Sequence, residues 1–512
     1  MKTTLLITFT VLLFKTGDAQ ETNYSLPETG FYSDKIPFII GKISGNIFIW
    51  ENYRKGRKNI LNIYDSSMSL VNSISEHVLP WDGELYQLNC INQSDSFLII
   101  LQYYRNRTFY CMMATYNEKG NLLREPVILD KIKNIDPFSM RAYLYQFIKV
   151  PDKPQYALAR ALTFTGNEEL ACDCILFDKG KVEKKLSFSI PFSNNGAAYT
   201  PFVIDNNQNI VFATCLNDFT KETATEIIVQ KVNTASENIS SVTQIVHGKI
   251  LYGMSVAINR ETNDYNLIGL YSDSSGMDAD NTINAKGIFI TKLNDSLNTA
   301  NNEYFSFAEI AALKGNSKYK TSFSEPQIGY ANNNSFTIVS SLYVTKPDSL
   351  VAKQYWQFSH IPLYKFHSQS EYPRVNPSRQ VFPRDAKDFT VINEGLIIFY
   401  YDTNNGLQWT RTLYNQSNYQ QSPLVGRSII ARSQKGLRII YPNTDYMTNH
   451  QNKLLSYLEI SSKGKILRNT DIFNNSPYEI QTSEGIPVDE NEIVLPCIAR
   501  HGRLAFMKVR FE

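Results

Sequence analysis

Charge of one sign is missing from this chain. Its 51 lysines and arginines stand against 49 aspartates and glutamates, so no global field draws it to nucleic acid. Long apolar runs are missing too. Leu5 to Phe14 is apolar, about the length of a leader-peptide core and too short for a bilayer, which takes about 20 residues. Lys2 precedes that run, and Gly17-Asp18-Ala19 supplies the small residues of a cleavage site. Residues 1–19 therefore read as a signal peptide and 20–512 as one mature domain. Gln20 follows the cut, not cysteine, which argues against a lipoprotein. The expectation is a secreted or periplasmic monomer with no membrane span and no nucleic-acid partner.

Zinc-like grouping is absent. The six histidines (77, 247, 360, 367, 450 and 501) are scattered singly, and no Cys/His set has ligand spacing. The six cysteines (90, 111, 172, 174, 215 and 497) show no framework. Cys172 and Cys174 fall on one face of a strand, where buried thiols act as small hydrophobes. No Gly-x-Ser-x-Gly elbow, His-Glu-x-x-His pair or glycine-rich phosphate loop is found, so these routes to catalysis have no sequence support.

What is abundant is a repeat. Copies close on Tyr116-Asn117-Glu118-Lys119-Gly120-Asn121-Leu122, Phe177-Asp178-Lys179-Gly180-Lys181-Val182 and Ile460-Ser461-Ser462-Lys463-Gly464-Lys465-Ile466. Second strands are expected over runs such as Asn46–Trp50, Ser96–Leu101, Ser335–Leu342 and Gly395–Tyr401. Third strands end near Tyr64, Tyr116, Phe177, Val232, Leu293, Tyr364, Tyr414, Ile460 and Val509. Phe97-Leu98-Ile99-Ile100-Leu101 is apolar at consecutive positions, which demands burial on both faces; a lipid-facing barrel strand alternates instead. Phe305 to Leu313 reads as a short helical insertion.

In period and strand order the pattern resembles a β-propeller over Ile36 to Glu512. The units recur about every 56 residues, against about 50 for kelch and 40–45 for WD40 blades. The resemblance implies an all-β ring of eight or nine four-stranded blades, with seven as the lower bound. The last unit ends on its third strand, so a strand within Asn23–Lys35 is expected to complete it, closing the ring and removing exposed edges.

By the same likeness, ligands meet the rim of second-to-third strand loops. There the last, first and second units place Arg500, then Arg54, Lys55, Arg57 and Lys58, then Tyr103, Tyr104, Arg105 and Arg107. Guanidinium forks engage carboxylate or sulfate bidentately, and tyrosine rings stack on sugars. An anionic glycan or an extracellular or periplasmic protein is the expected partner. Asp278 and Asp280 begin an oxygen-rich stretch like half a calcium loop. It lacks the turn glycine and the final glutamate, so an ordinary loop is expected, with no cofactor and no metal site. His501, Tyr103 and Arg500 have the residue types of a lyase centre. Tyr355-Trp356-Gln357-Phe358 and Trp409 are expected to pack between blades. The function expected is a binding module; the alternative is a polysaccharide lyase or glycosidase on the same scaffold.

Overall fold

In the computed structural model, β-branched and aromatic runs broken by short polar turns form eight separate antiparallel sheets, each a meander of four strands. Blade 1 comprises Lys35–Ile43, Asn46–Tyr53, Asn59–Tyr64 and Leu70–Glu76; blade 2 comprises Glu84–Asn92, Ser96–Arg105, Thr108–Asn117 and Leu122–Lys133. Blades 3, 4 and 5 span residues 146–191, 198–246 and 249–306. Blades 6 and 7 span 321–420 and 429–472, and blade 8 begins at Glu479. The inner strands of blades 4, 6 and 8 are each split in two. The structure describes residues 21–28, 35–53, 58–93, 96–135, 143–149, 155–163, 169–178, 180–191, 198–216, 225–246, 249–273, 286–307, 321–323, 327–332, 334–345, 390–420, 428–433, 435–444, 453–472, 478–480 and 485–511.

The molecule is a β-propeller of eight blades. Its core lies between the blades, in eight apolar clusters that each join one blade to the next. Along Ile47-Phe48-Ile49-Trp50, the isoleucines pack toward blade 8 with Leu504 and Phe506, while Phe48 and Trp50 pack toward blade 2 with Phe97. That two-sided burial is why the strands are apolar without alternation. Burying each such side chain contributes about 1.5–3 kcal/mol.

Closure pairs the chain ends as expected, but the closing strand starts earlier than Asn23–Lys35. Glu21–Tyr24 pairs antiparallel with the last strand, from Glu21↔Arg510 to Tyr24↔Met507, and becomes the outer strand of blade 8. Ser25 and Glu28 extend the seam through N–H bonds to the Phe506 and Leu504 carbonyls. The count settles at eight because Ser335–Thr345 pairs directly with Thr390–Asp402. Gly395–Tyr401 is thus the third strand of blade 6, not the second strand of another blade. Tyr414 lies in the outer strand Gly406–Gln420, and Tyr364 lies outside the described residues. The helical reading fails at its start: Phe305 and Ser306 end the outer strand of blade 5, and residues from 308 lie outside the described ones.

An up-and-down meander puts first-to-second and third-to-fourth connections on one rim. Here that rim is a row of self-capped turns. Asp65 Oδ1 accepts the N–H groups of Ser67 (2.8 Å) and Ser69 (2.9 Å); Asn117 does the same for Lys119 and Asn121, and Ser461 Oγ for Lys463 and Lys465. These are Asx- and Ser-type turns. The fourth residue of each takes a left-handed backbone, as Met68, Gly120 and Gly464 do. A bulge falls beside each turn, at Ile63/Tyr64, Thr115/Tyr116 and Glu459/Ile460, the geometry of a bulged hairpin.

The fourth turn residue also latches the ring. Met68 enters the cluster holding Val494, Leu504 and Phe506 of blade 8, and Leu297 enters the one holding Val211 and Val229 of blade 4. Where the preceding blade is bulkier, the residue is glycine: a Cβ at Gly464 would come 2.5 Å from Tyr400 Cε1. The carbonyl of the second turn residue takes a bond from the preceding blade. Lys231 Nζ donates to Asp295 O (2.8 Å), Lys184 Nζ to Thr234 O (2.8 Å), Tyr400 Oη to Ser462 O (2.9 Å), and Lys508 Nζ to Ser66 O. Between blades 7 and 8, Arg438 and Glu459, both buried, pair at 3.1 Å. Arg438 Nη1 also donates to the Glu490 carbonyl and to Asn491 Oδ1.

Candidate functional site

The other rim carries second-to-third strand loops and the links between blades, and its second-to-third connections are not uniform. They are residues 54–58 in blade 1, 106–107 in blade 2, 274–286 in blade 5 and 346–389 in blade 6. Around blades 8, 1 and 2 they are short. The shared clusters make these three blades consecutive neighbours, so the strands that lead into the three basic loops end side by side on one rim.

The blade 2 hairpin is the best-defined part of the patch. Asn106 and Arg107 both have left-handed φ, 49° and 56°, as a two-residue hairpin turn matched to strand twist requires. Ile135 N–H bonds to the Arg107 carbonyl at 2.9 Å, and Tyr104 Oη donates to the Ile135 carbonyl at 3.3 Å. The tip is therefore fixed from behind, with Arg107 exposed. Thr108 Oγ1 donates to the Asn106 carbonyl at 3.3 Å.

The tyrosines divide. Tyr103 is buried, and its ring stacks on Tyr110 with centroids 4.9 Å apart and planes 8° apart. Burial pushes its phenol up to about 12, with Tyr110 adding to the shift and Arg105 opposing it. Tyr103 is thus a neutral floor residue, not the open sugar platform expected of it, because its ring face is already occupied. Tyr104 is half-buried. Lys131 Nζ lies 5.2 Å from the Tyr110 centroid, extending the basic surface by a cation–π contact.

Arg105 is not solitary either. Its Nε lies 2.7 Å from Asp82 Oδ1, the distance of a charge-assisted ion pair, and that partner holds the guanidinium above its usual range. Asp82 belongs to the link between blades 1 and 2, in the turn Pro80-Trp81-Asp82-Gly83, closed by a 2.8 Å bond from Gly83 N–H to the Pro80 carbonyl. Trp81 stands at the corner of that turn, 67% exposed. Neither residue was singled out by the loop reading. The Pro-Trp-Asp-Gly turn chemistry was the available signal.

In blade 1, Tyr53 N–H bonds to the Lys58 carbonyl at 2.9 Å, closing the base of the loop. Arg54, Lys55 and Arg57 lie outside the described residues. In blade 8 the backbone Arg500–Gly502 makes a short turn with His501 at φ 62°. His501 and Arg503 are exposed, and the Arg500 side chain lies outside the described set.

Behind the rim, amides fix the inner strands. Gln102 donates to the Tyr145 carbonyl (2.9 Å) and accepts its N–H (2.7 Å). Gln146 treats Phe202 alike, at 2.8 Å for both bonds. Gln87 Nε2 donates to Asn89 Oδ1 at 2.8 Å. Between blades 2 and 3, Arg160 Nη2 is 2.8 Å from Asp130 and 2.6 Å from Asp173, with its guanidinium 4.3 Å from the Tyr145 centroid. That group bridges two blades and is saturated by their carboxylates.

Among the described residues no group of three or more His, Cys, Asp or Glu is placed to hold a metal. Asp278 and Asp280 lie outside them. Cys172 and Cys174 share one apolar cluster as free thiols, and burial pushes both well above the usual thiol range. Trp409 stacks on Tyr400 at 5.5 Å and donates to the Gly464 carbonyl at 2.6 Å, joining blades 6 and 7. Tyr355 to Phe358 lie outside the described residues. No described helix is long and apolar enough to cross a membrane.

No family model and no curated relative matches the chain. Similar solved structures include the WD40 domain of SCAP from fission yeast, at 9% identity over 96% of this chain and 98% of that one, TM-score 0.39. An oligogalacturonate lyase in complex with manganese is 8% identical over 96% and 97%, TM-score 0.36. A PL25 ulvan lyase bound to a saccharide is 9% identical over 83% and 94%, TM-score 0.41. At these values nothing about ligand or chemistry passes from them to this chain.

Proposed function

We propose that this propeller is an exported binding module that holds an acidic partner, most simply an anionic glycan, on the loop rim of blades 8, 1 and 2. The observation that carries the reading is the difference between the rims. One is locked into the ring by capped turns, while the other varies in loop length and carries Arg105 and Arg107 on a fixed hairpin, with Trp81 on the neighbouring link between blades 1 and 2. The reading takes in Arg54, Arg57 and Arg500 from their places in the sequence, after strands that end on this rim, together with Tyr104. Arginine forks supply geometry for carboxylate or sulfate, and the indole supplies an apolar face for a sugar ring.

The reading takes binding over catalysis on the inner strands of blades 2 and 3, whose buried polar side chains Gln87, Asn89 and Gln146 are amides, each engaged in structural bonds. Two assays test the reading. The protein should be retained on heparin or pectate, and replacing Arg54, Arg57, Arg105 and Arg107 by Ser should abolish retention; unchanged retention overturns it. Incubation with pectate should release no shorter products. Depolymerisation would establish the enzyme reading instead.

A further inference from the structure

Blade 2 carries a second line of positive charge, on its outer strand behind the hairpin tip. Residues paired directly across strands share a face, so the register gives two rows on the side of the sheet that packs toward blade 1. One row is Tyr103, Tyr110 and Lys131; the next is Arg105, Thr108 and Lys133. Lys131 and Lys133 are exposed, as is Arg107 at the tip. The nearest acid along the strand lies on the other side: Asp130 is paired with Cys111 and meets Arg160 at 2.8 Å toward blade 3. Arg105 has Asp82. Among the described residues no carboxylate is paired with Lys131, Lys133 or Arg107. Lysines on the sheets of blades 3, 4 and 5 differ, Lys184 being paired with Glu237, Lys231 with Asp295 and Lys292 with Glu303. The three cations are also held in place. The Ile135 N–H bond to the Arg107 carbonyl ties the end of the outer strand to the tip. Lys131 Nζ sits 5.2 Å from the Tyr110 centroid, a cation–π contact over the stacked pair Tyr103 and Tyr110.

We infer that Lys131 and Lys133, with Arg107, form a track along the outer corner of blade 2 on which an acidic glycan chain lies. Same-face residues of a strand stand about 7 Å apart. A single acid satisfies one such cation, whereas a chain with acids on successive units engages all three, each further contact being intramolecular. Lysine is a point charge without a fork to match, so the track takes carboxylate or sulfate and leaves the choice between them to the arginines. The inference rests on the binding role proposed above and deepens it. It carries the contact outward from the hairpin tip onto the fourth strand, and it makes the ligand an extended polyanion and not a single acidic sugar.

Titration calorimetry with polygalacturonate oligomers, sulfated dextran, monomeric galacturonate and a polyglutamate peptide tests the track. The pair Lys131→Gln and Lys133→Gln should weaken binding of the acidic polysaccharide about 2- to 25-fold, each exposed ion pair being worth about 1.5- to 5-fold. The pair Lys131→Arg and Lys133→Arg should bind as the parent does, which separates charge from packing on Tyr110. Lys463→Gln with Lys465→Gln removes the same charge from the turn rim and should leave binding unchanged. Monomeric galacturonate should bind at least about tenfold more weakly than its oligomers. Lysine-dependent binding of either polysaccharide supports the track, and a preference between them identifies the acid. Parent-like affinity in the glutamine pair, with thermal unfolding that matches the parent, overturns it, as does an equal loss in the turn-rim pair. Equal affinity for monomer and oligomer overturns the extended ligand. Lysine-dependent binding of polyglutamate where neither polysaccharide binds overturns the glycan as occupant. If the four-arginine variant loses retention on pectate or heparin and the lysine pair loses nothing, the binding role stands and the track alone falls. If the parent binds no polyanion, both fall.

Discussion

The two rims of the ring are ends of the same strands, yet they obey different rules. On the turn rim the described capping groups have local or inter-blade duties. Asp65 caps its own turn, Met68 fills the neighbouring blade, and Ser66 receives a lysine from across the seam. On the loop rim of blade 2, Arg107 and Trp81 project outward while the duties fall to residues behind them, Gln102, Tyr104 and Ile135. The lesson is a division of labour. Substitutions on the first rim should register in stability, and those on the second in binding.

The largest test of that division is at the blade 7–8 junction. Glu459→Ala leaves the buried Arg438 guanidinium without its counter-charge, a loss of about 3–5 kcal/mol. Urea unfolding should show it, while retention on pectate by the folded fraction stays at the parent level. Next is Gly464→Val. It forces a left-handed φ of 77° on a β-branched residue and drives a Cβ toward Tyr400. Left-handed backbone costs about 1–2 kcal/mol and overpacking about 1–3 kcal/mol, so the midpoint of unfolding should fall by the corresponding amount.

A smaller effect should appear with acid at the blade 4–5 latch. Burial raises the Asp295 carboxyl, but the bond and charge of Lys231, helped by Asn263 and Tyr265, outweigh it and hold it below 3.8. A lowered folded value means stability that is present above the unfolded value and lost as pH falls through the folded one. Asp295→Asn should therefore lower the melting temperature at pH 6 and converge on the parent at pH values below 3.8. Asp295 is half-exposed, so the difference should stay under about 1 kcal/mol. A gap that persists at low pH would mean the latch does not act through charge.

Much of this architecture was legible because it is local. Asn117 to Asn121 announces a capped, bulged hairpin by residue type alone, and the consecutive apolar residues at Phe97 to Leu101 announce burial on both faces. Closure was legible from strand order. Blade number was less so, since pairing Ser335 with Asp402 joins strands separated by residues 346–389, and strand-like runs in between are indistinguishable by pattern. The site divides the same way. The basic hairpin could be read from Arg105 and Arg107. The burial of Tyr103 and the partner Asp82 could not, because both depend on the pairing of Leu85 with Tyr103 across blade 2, which carries the Pro80–Gly83 turn over the hairpin.

The division between the rims is tested most directly by removing equal charge from each. One variant replaces Arg54, Arg57, Arg105 and Arg107 by Ser; the other replaces Lys119, Lys435, Lys463 and Lys465, exposed on the turn rim. Both lose four positive charges, so non-specific attraction changes alike. Salt elution from pectate should separate them: the loop-rim variant should pass through unretained, and the turn-rim variant should elute with the parent. Equal loss in both would show that net charge, not a site, holds the polymer, and would contradict the assignment of function to the loop rim.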